Sequence, residues 1–200
     1  NENDIGAFIA DISADNTYGD IVGEELTFSI LSNNDGEKFQ IKGSELYLKE
    51  GTSVNYEEEQ SLDLTIRASD SGGLFTDETF TINIKDKNDA PIILSNDQLT
   101  LNENSSIENV IYTILAEDED NDVLTYKVSG EDANYISVDK YNGELKFLNS
   151  PDFEMKSFYE FQVIATDGEL SAEKDITINI EDINEAPEIL LNDVIEISPK

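Results

Sequence analysis

The chain has 200 residues and a formal net charge of −33, because 45 acidic side chains face 12 basic ones and histidine is absent. Without cysteine or histidine, the sequence excludes disulfides, zinc–thiolate sites and most transition-metal sites, and it lacks the commonest general base. The charge argues against a nucleic-acid partner, since polyphosphates are bound by cationic side chains. No apolar run approaches the ~20 residues of a membrane span, so we expect no membrane insertion.

Short runs in which apolar and polar residues alternate predict β-strands along the first half of the chain. These runs are Ile5–Ile12, Glu25–Leu31, Lys38–Ile41, Glu45–Lys49, Ser61–Asp70 and Thr79–Lys85. A period of two with one apolar face is typical of a half-buried antiparallel sheet. In the last run, Phe80, Ile82 and Ile84 are therefore expected to share a buried face.

The second half continues in the same manner. Its runs are Glu108–Ala116, Val123–Ser129, Tyr135–Val138, Glu144–Leu148, Phe161–Ala165 and Ile176–Ile180. No segment shows sustained helical periodicity. About seven short strands in ~100 residues are typical of a β-sandwich.

Three landmarks recur in fixed order and reveal an internal repeat. Tyr56-Glu57, Ala68-Ser69-Asp70 and Asp86–Pro91 return as Phe153-Glu154, Ala165-Thr166-Asp167 and Asp182–Pro187, at offsets of 97, 97 and 96 residues. Self-similarity at a fixed period is the sequence signature of a repeat protein. We predict repeats at residues 1–89 and 90–186, the first without its opening strand. Residues 187–200 copy the run after Pro91 and are expected to begin a third repeat.

The segment Glu117–Asp122 crowds acidic side chains and one amide into six residues. Carboxylates this close repel one another, so a folded loop of this kind needs a cation. Ligands that are all oxygen favour calcium over magnesium or manganese. An EF-hand is excluded, because Val123 stands where that loop needs glycine and Ser129 where it needs glutamate.

Taken together, the motifs resemble tandem cadherin repeats, and the resemblance covers residues 1–187. It rests on Glu-Asn near the start of each unit, Asp-x-Asp after the second strand, Asp/Asn-aromatic-Glu in the middle, Ala-x-Asp at the end of the penultimate strand, and the linker Asp-x-Asn-Asp/Glu-Ala-Pro. The Asn-Glu-Ala-Pro spelling at 184–187 and the absence of tryptophan resemble bacterial cadherin-like arrays more than animal ones. The resemblance implies an all-β fold of two tandem Greek-key β-sandwich repeats, Ig-like in topology, with about seven strands each.

The resemblance also implies calcium at the junction between repeats, bound by groups from both. Carried over by position, the metal ligands are Glu2, Asn55, Glu57, Lys87 (carbonyl), Asn88, Asp89, Ala90 (carbonyl), Asp118, Asp120 and Asp167. Their carboxylates carry a charge that about three Ca²⁺ would neutralise. Partial metal sites toward the chain ends would use Asp70, Glu103, Asp152, Glu154, Asn184 and Glu185. Because Asn55 stands where the second repeat has Asp152, the outermost central ion is expected to bind more weakly.

The function that the resemblance implies is a calcium-dependent extracellular module, secreted or at the cell surface. Calcium would rigidify a rod of repeats that serves adhesion or structure, with the other repeats of the parent chain as partners and either a homophilic contact or a polysaccharide as a further one. A calcium-dependent carbohydrate-binding module is the alternative; paired exposed tyrosines would favour it. An enzyme with two catalytic carboxylates is disfavoured, because a metal explains the clustered acids better, and no catalytic residue is expected.

Overall fold

The computed structural model describes residues 2–15, 26–32 and 34–187. The chain divides into two compact units after Asn88. The expected opening strand of a third repeat, at 188–200, lies outside the described residues, as does the start of the predicted run Glu25–Leu31. The described residues hold strands and two short 3-10 turns, Gly36–Lys38 and Ala133–Tyr135, with no α-helix. The all-β prediction is confirmed.

Unit 1 has two antiparallel sheets in the part of the chain that is described. Its strands are β1 (Phe8–Asp11), β2 (Thr27–Ile30), β3 (Phe39–Lys42), β4 (Glu45–Leu48), β5 (Ser61–Ser69) and β6 (Phe75–Asn83). One sheet has the order β1-β4-β3 and the other β2-β5-β6. Alternate residues of β4 and β5, such as Leu48 and Leu64, are almost fully buried in one apolar cluster. Burial of each such leucine stabilises the unit by about 2 kcal/mol.

Unit 2 repeats this plan with more strands. They are β7 (Ile92–Ile93), β8 (Gln98–Asn102), β9 (Tyr112–Thr113), β10 (Ala116–Glu117), β11 (Thr125–Ser129), β12 (Ile136–Val138), β13 (Glu144–Phe147), β14 (Phe158–Thr166) and β15 (Ser171–Glu181). The sheets have the orders β11-β14-β15-β8, β12-β13-β9 and β10-β7. Leu145, Val163 and Ile178 are fully buried in its core. The β-sandwich prediction is confirmed.

Two local predictions were wrong, and one strand pairing was not predicted. The run Glu108–Ala116 forms two short strands, because the chain leaves β13 after β9 and pairs with β7 at β10. The strand predicted from Thr79 already starts at Phe75, where it completes a long hairpin with β5. The pairing of β8 with β15 is parallel, since nearly the whole unit lies between these two strands in sequence.

Phe80 also departs from the predicted buried face. Its side chain is 47% exposed, whereas Ile84, the residue that follows the last residue of β6, is 9% exposed. The equivalent residue of unit 2, Ile176, is 1% exposed. Strand β15 has β8 beside it, but among the described residues β6 is the edge of its sheet, so Phe80 lacks the cover that Ile176 has.

One carboxylate fastens the 3-10 turn to the long central strand in both units. Asp35 Oδ2 accepts a hydrogen bond from the Asp63 N–H at 2.9 Å, and Asp132 Oδ2 accepts one from the Glu160 N–H at 2.8 Å. Asp132 is 5% exposed and forms a salt bridge with Lys156 at 3.1 Å. The same type of hydrogen bond therefore stabilises the equivalent turn in both units.

Candidate metal centre

The expected ligands divide between the two units. Unit 1 carries Glu2, Asn55, Glu57, Lys87 and Asn88, and unit 2 carries Asp89, Ala90, Asp118, Asp120 and Asp167. The residues expected toward the end of unit 2 are Glu103, Asp152, Glu154, Asn184 and Glu185, while Asp70 lies in unit 1. Each unit therefore presents its own set of oxygen ligands.

Glu2 is fully buried, which is unusual for a carboxylate. Its Oε2 accepts a hydrogen bond from the Tyr56 N–H at 2.5 Å, and its Oε1 accepts one from the Lys87 N–H at 2.7 Å. Burial raises the pKa of Glu2. The backbone hydrogen bonds from Tyr56 and Lys87, a side-chain hydrogen bond with Glu57 and the charge of Lys87 act in the opposite direction. They outweigh burial, so the pKa of Glu2 is lowered. Glu2 is thus held ionised at the point where the start, middle and end of unit 1 meet.

Glu103 repeats this arrangement in unit 2 and is 2% exposed. Its Oε2 accepts a hydrogen bond from the Phe153 N–H at 2.9 Å, and its Oε1 accepts one from the Ile183 N–H at 2.7 Å. The Glu103 N–H donates to the Glu181 carbonyl at 3.1 Å, as the Glu2 N–H does to the Lys85 carbonyl. The two glutamates hold the same place in the two units.

Three carboxylates converge around Glu103. Glu103, Glu154 and Glu185 each offer an oxygen, and these oxygens lie within 4.8 Å of one another. The backbone hydrogen bond at Glu154 lowers the pKa of its carboxyl, but burial and repulsion from Glu103, Glu185 and Asp182 outweigh it, so the pKa of Glu154 is raised. A bound cation would relieve this repulsion.

The polar residues around this cluster differ in burial and in hydrogen bonding. The Asn104 amide donates to Glu185 Oε1 at 2.6 Å and so fixes one member of the cluster. Asp152 is half-buried and accepts a hydrogen bond from the Met155 N–H at 2.9 Å, whereas Asn184 is exposed. The role of Asn104 was missed at the sequence level, although the Glu-Asn motif contained the signal.

The acidic loop of unit 2 folds around Asp118. The Asp122 N–H donates to Asp118 Oδ1 at 3.2 Å, and Asn121 turns the chain with a left-handed φ of 61°. Asp118 Oδ2 is buried and accepts no hydrogen bond within the described residues. Such an unsatisfied oxygen costs about 1–3 kcal/mol, which coordination of a cation would offset. The donor set here therefore fits a calcium ion.

Asp120 is tied to the start of its own unit. Its Oδ2 accepts a hydrogen bond from the Asp89 N–H at 2.7 Å, so the acidic loop and the linker segment are held together. Asp167 caps the turn between β14 and β15, where its Oδ1 accepts from the N–H groups of Glu169 and Leu170 at 2.6 and 2.7 Å. Asp70 caps the equivalent turn of unit 1 by accepting from the Leu74 N–H at 2.9 Å. One oxygen of each aspartate therefore serves the fold.

Two tyrosines share a groove with the acidic loop. Tyr126 and Tyr141 line a groove of about 610 Å³ in unit 2, together with Glu117, Asp118 and Asp122. Tyr141 is 75% exposed, and Tyr126 is half-buried. An aromatic ring beside carboxylates offers both an apolar face and polar acceptors, the combination found in small-molecule sites.

Part of the chain matches a known domain family. Residues 97–181, most of unit 2, match the family model described as Cadherin domain. The Fat-like cadherin-related tumor suppressor homolog of Drosophila melanogaster is 27% identical over 183 residues, which are 86% of this chain and 4% of that protein. Protocadherin Fat 4 of Homo sapiens is 33% identical over 159 residues, which are 74% of this chain and 3% of that protein. The chain thus spans a few per cent of the length of these relatives.

Solved structures show the same fold. The extracellular cadherin domains 3-6 of Protocadherin Gamma B2 superpose with a TM-score of 0.60 at 22% identity, over 92% of this chain and 44% of that one. Human Protocadherin-24 EC1-2 gives a TM-score of 0.60 at 20% identity, over 92% of each chain. The relatives named above are animal proteins, and the predicted likeness to bacterial arrays stays a prediction. Within the described ranges, no helix has the length and apolar character needed to cross a membrane.

Proposed function

Because residues 97–181 form a cadherin domain, we propose that the chain is a calcium-dependent extracellular module in which ions bound between successive repeats rigidify a rod used for adhesion or structure. The repeats are residues 1–89 and 90–186, with residues 187–200 opening a third. The observation that carries the proposal is the convergence of Glu103, Glu154 and Glu185, whose oxygens lie within 4.8 Å of one another.

The chemistry of these oxygens favours calcium. Calcium takes six to eight oxygen ligands and accepts carboxylates, amides and backbone carbonyls, all of which the expected ligand set contains. Extracellular modules bind calcium at roughly 10⁻⁴–10⁻³ M, which suits the outside of a cell. The buried oxygen of Asp118, which has no hydrogen-bond donor among the described residues, supports a second group of ligands in the acidic loop.

The tandem arrangement is supported by the shared position of Glu2 and Glu103. In each unit the buried glutamate accepts hydrogen bonds from the residue after the mid-repeat Asn or Asp and from the segment that follows the last strand. That segment is where the chain leaves one repeat for the next. A cation bound beside it would restrict the motion of the following repeat.

Calorimetric titration of the chain with calcium chloride tests this proposal. We expect binding in the parent chain and a lost or weakened ion in Glu154→Gln, whose exposed side chain leaves the fold intact. Glu173→Gln removes the same charge from an exposed site on β15 and is the matched control. Absence of calcium binding in the parent chain, or equal losses in both variants, would overturn the proposal.

A carbohydrate-binding function is the second candidate. The groove offers it the exposed ring of Tyr141 beside carboxylates, but Tyr126 is half-buried, so this groove does not hold the pair of exposed tyrosines that would favour the function. Screening the chain against a glycan array in calcium buffer tests it, with Tyr141→Ala as the variant. Binding that Tyr141→Ala abolishes would support the second candidate. An array without any retained glycan would remove it.

A further inference from the structure

Strands β6 and β15 have the same sequence over four residues but different neighbours. Residues 81–84 read Thr-Ile-Asn-Ile, as do residues 177–180. Each strand pairs with the long strand of its unit, β5 or β14, in the same antiparallel register. Strand β15 also has β8 on its other side, whereas β6 is the edge of its sheet among the described residues. The same backbone edge is therefore paired in unit 2 and unpaired in the described part of unit 1.

In unit 2, strand β8 covers one side of the core. It pairs with β15 in parallel, and the Thr177 N–H donates to the Asp97 carbonyl at 2.8 Å. Leu99 and Leu101 of β8 pack against the buried cluster of the unit. Strand β8 thus supplies both backbone pairing and apolar cover.

An apolar groove lies beside the edge of β6 in unit 1. It has a volume of about 330 Å³ and lies between β1 and β6, where Ile9, Phe80 and Ile82 line it. Phe80 is 47% exposed and Ile82 is half-buried, whereas the matching Ile176 and Ile178 of unit 2 are almost fully buried. Unit 1 therefore presents an unpaired strand edge together with apolar side chains that a strand of the β8 type would cover.

The end of the chain carries the sequence pattern of such a strand. Counted from Pro187, it copies the run after Pro91, so residues 194–198 (Val-Ile-Glu-Ile-Ser) match the five residues of β8. Ile195 and Ile197 take the places of the two leucines with which β8 packs on the core. The chain thus contains both the edge and a segment whose pattern fits it.

Charge complementarity favours unit 1 as the acceptor of this segment. In the register of β8 beside β15, Glu196 of an added strand lies opposite Asn83. Two residues further along the chain, unit 1 has the exposed Lys85 where unit 2 has Glu181. Long side chains at diagonal positions of adjacent strands reach one another, and opposite charges there are attractive. Glu196 is therefore attracted to the edge of unit 1.

We infer that the edge of β6 binds residues 194–198 of a second copy of this chain, in the parallel register that β8 adopts beside β15. When a strand adds to an exposed sheet edge, main-chain hydrogen bonds supply affinity and pockets for alternate side chains supply specificity. Here Ile195 and Ile197 enter the groove beside Phe80. The contact uses none of the expected calcium ligands, so it forms equally in calcium and in chelator and does not depend on the proposed function.

Sedimentation velocity of the full chain at increasing concentration, in about 0.15 M salt to screen its net charge, tests the inference with two complementary variants. Thr81→Pro removes the N–H that matches the one Thr177 donates to Asp97, and proline is tolerated on an edge strand where the N–H faces outward. Ile195→Lys places a charge where the added strand enters the apolar groove. We expect the parent chain to associate and each variant alone to sediment as a monomer.

An equimolar mixture of the two variants is the sharpest measurement. Thr81→Pro chains can only donate the strand and Ile195→Lys chains can only accept it, so the mixture should form a complex of two chains and nothing larger. A parent chain that is monomeric at every concentration would overturn the inference. Association of either folded variant alone, or no complex in their mixture, would overturn it as well.

Lys85→Glu tests the acceptor edge without a proline. It gives unit 1 the residue that unit 2 has at this place, so the variant is expected to fold, and it should weaken association by about fivefold, the effect of a surface ion pair. Lys42→Glu makes the same change of charge at an exposed residue of β3 and is the matched control. Equal association of the two lysine variants would contradict the inference.

Discussion

At the scale of single residues, the expected ligands are of two kinds. Some stabilise the fold through hydrogen bonds, and others have an oxygen that only a cation would satisfy. Glu2 and Glu103 are buried, and both oxygens of each accept hydrogen bonds from backbone N–H groups. Asp118 instead keeps a buried oxygen without a donor among the described residues. A carboxylate of the first kind stabilises the unit without calcium, and one of the second kind contributes only when the ion is present.

Glu103→Gln tests the first role. The amide retains one acceptor oxygen and replaces the other with an NH₂ group that faces a backbone donor, either Phe153 or Ile183. We expect the free energy of unfolding in chelator to fall by about 1–3 kcal/mol, the cost of a buried group left unpaired. Urea denaturation in chelator measures it, and an unchanged midpoint would show that Glu103 acts through calcium alone.

Asp120→Asn tests whether an expected ligand contributes to stability only when calcium is present. Asparagine keeps an oxygen that can accept from the Asp89 N–H, so the loop contact is preserved while the charge is removed. Melting temperature in chelator should stay within the error of the parent. The rise that calcium produces should shrink, because binding to the native state supplies about 2.7 kcal/mol at a hundredfold excess over Kd. Equal losses in both buffers would make Asp120 an ordinary structural residue.

At the scale of elements, the 3-10 turn of each unit is fastened by its aspartate to the long central strand. In unit 2, Asp132 accepts from the Glu160 N–H and pairs with Lys156. The hydrogen bond that Lys156 donates to Asp132 is the main cause that raises the pKa of Lys156 above its ordinary 10.5. A raised lysine pKa means that the pair contributes fully below that ordinary value and loses its contribution only as pH rises through the folded value.

Asp132→Ala should therefore destabilise unit 2 at neutral pH by about 1–3 kcal/mol, because the partly buried Glu160 N–H and the Lys156 ammonium lose their partner together. The loss should be the same in calcium and in chelator, since the turn contains none of the expected ligands. Glu131→Ala removes an exposed charge next to it and should change the free energy of unfolding by less than about 0.5 kcal/mol. Chemical denaturation measures the free energy of unfolding of both variants. Equal losses in the two would show that Asp132 does not stabilise the turn in this way.

Sequence patterns predicted the presence of the strands better than the residues at which they begin and end. Alternation located β5 and β13 to within one residue at each end, because both strands have one buried face. It could not show that Glu108–Ala116 splits between two sheets, nor that Phe80 lies on a sheet edge, since those outcomes depend on which strand lies alongside. The motif at Glu103, Glu154 and Glu185 pointed to residues that do converge. The hydrogen bonds that the Asn55 side chain accepts from its own turn could not be read from the motif, because an amide and a carboxylate fit it equally.

At the scale of the whole molecule, a charge of −33 makes the chain sensitive to cations. Like charges destabilise a compact state by repulsion, and in the proposed arrangement the expected ligands concentrate that repulsion where one repeat meets the next. Calcium is therefore proposed to act on the connection between repeats more than on either core.

Trypsin provides a local probe of that connection. Lys85 and Lys87 are exposed in the segment that leads out of unit 1. A flexible connection in chelator should be cut there, and calcium should slow the cut by about tenfold or more, because proteases act on the opened chain. Magnesium at the same concentration serves as the control, and identical cleavage in calcium and chelator would contradict a calcium-held linker.

The central claim is that calcium fixes one repeat relative to the next, and small-angle X-ray scattering tests it most directly. The chain is measured in about 2 mM calcium, a concentration that fills extracellular calcium modules, and again in chelator and in magnesium at equal ionic strength. We expect a narrow distribution of interatomic distances with calcium and a broader one in the other two buffers. The double variant Asp118→Asn with Asp120→Asn should stay broad in all three. Superimposable curves of the parent chain in calcium and in chelator would contradict the account.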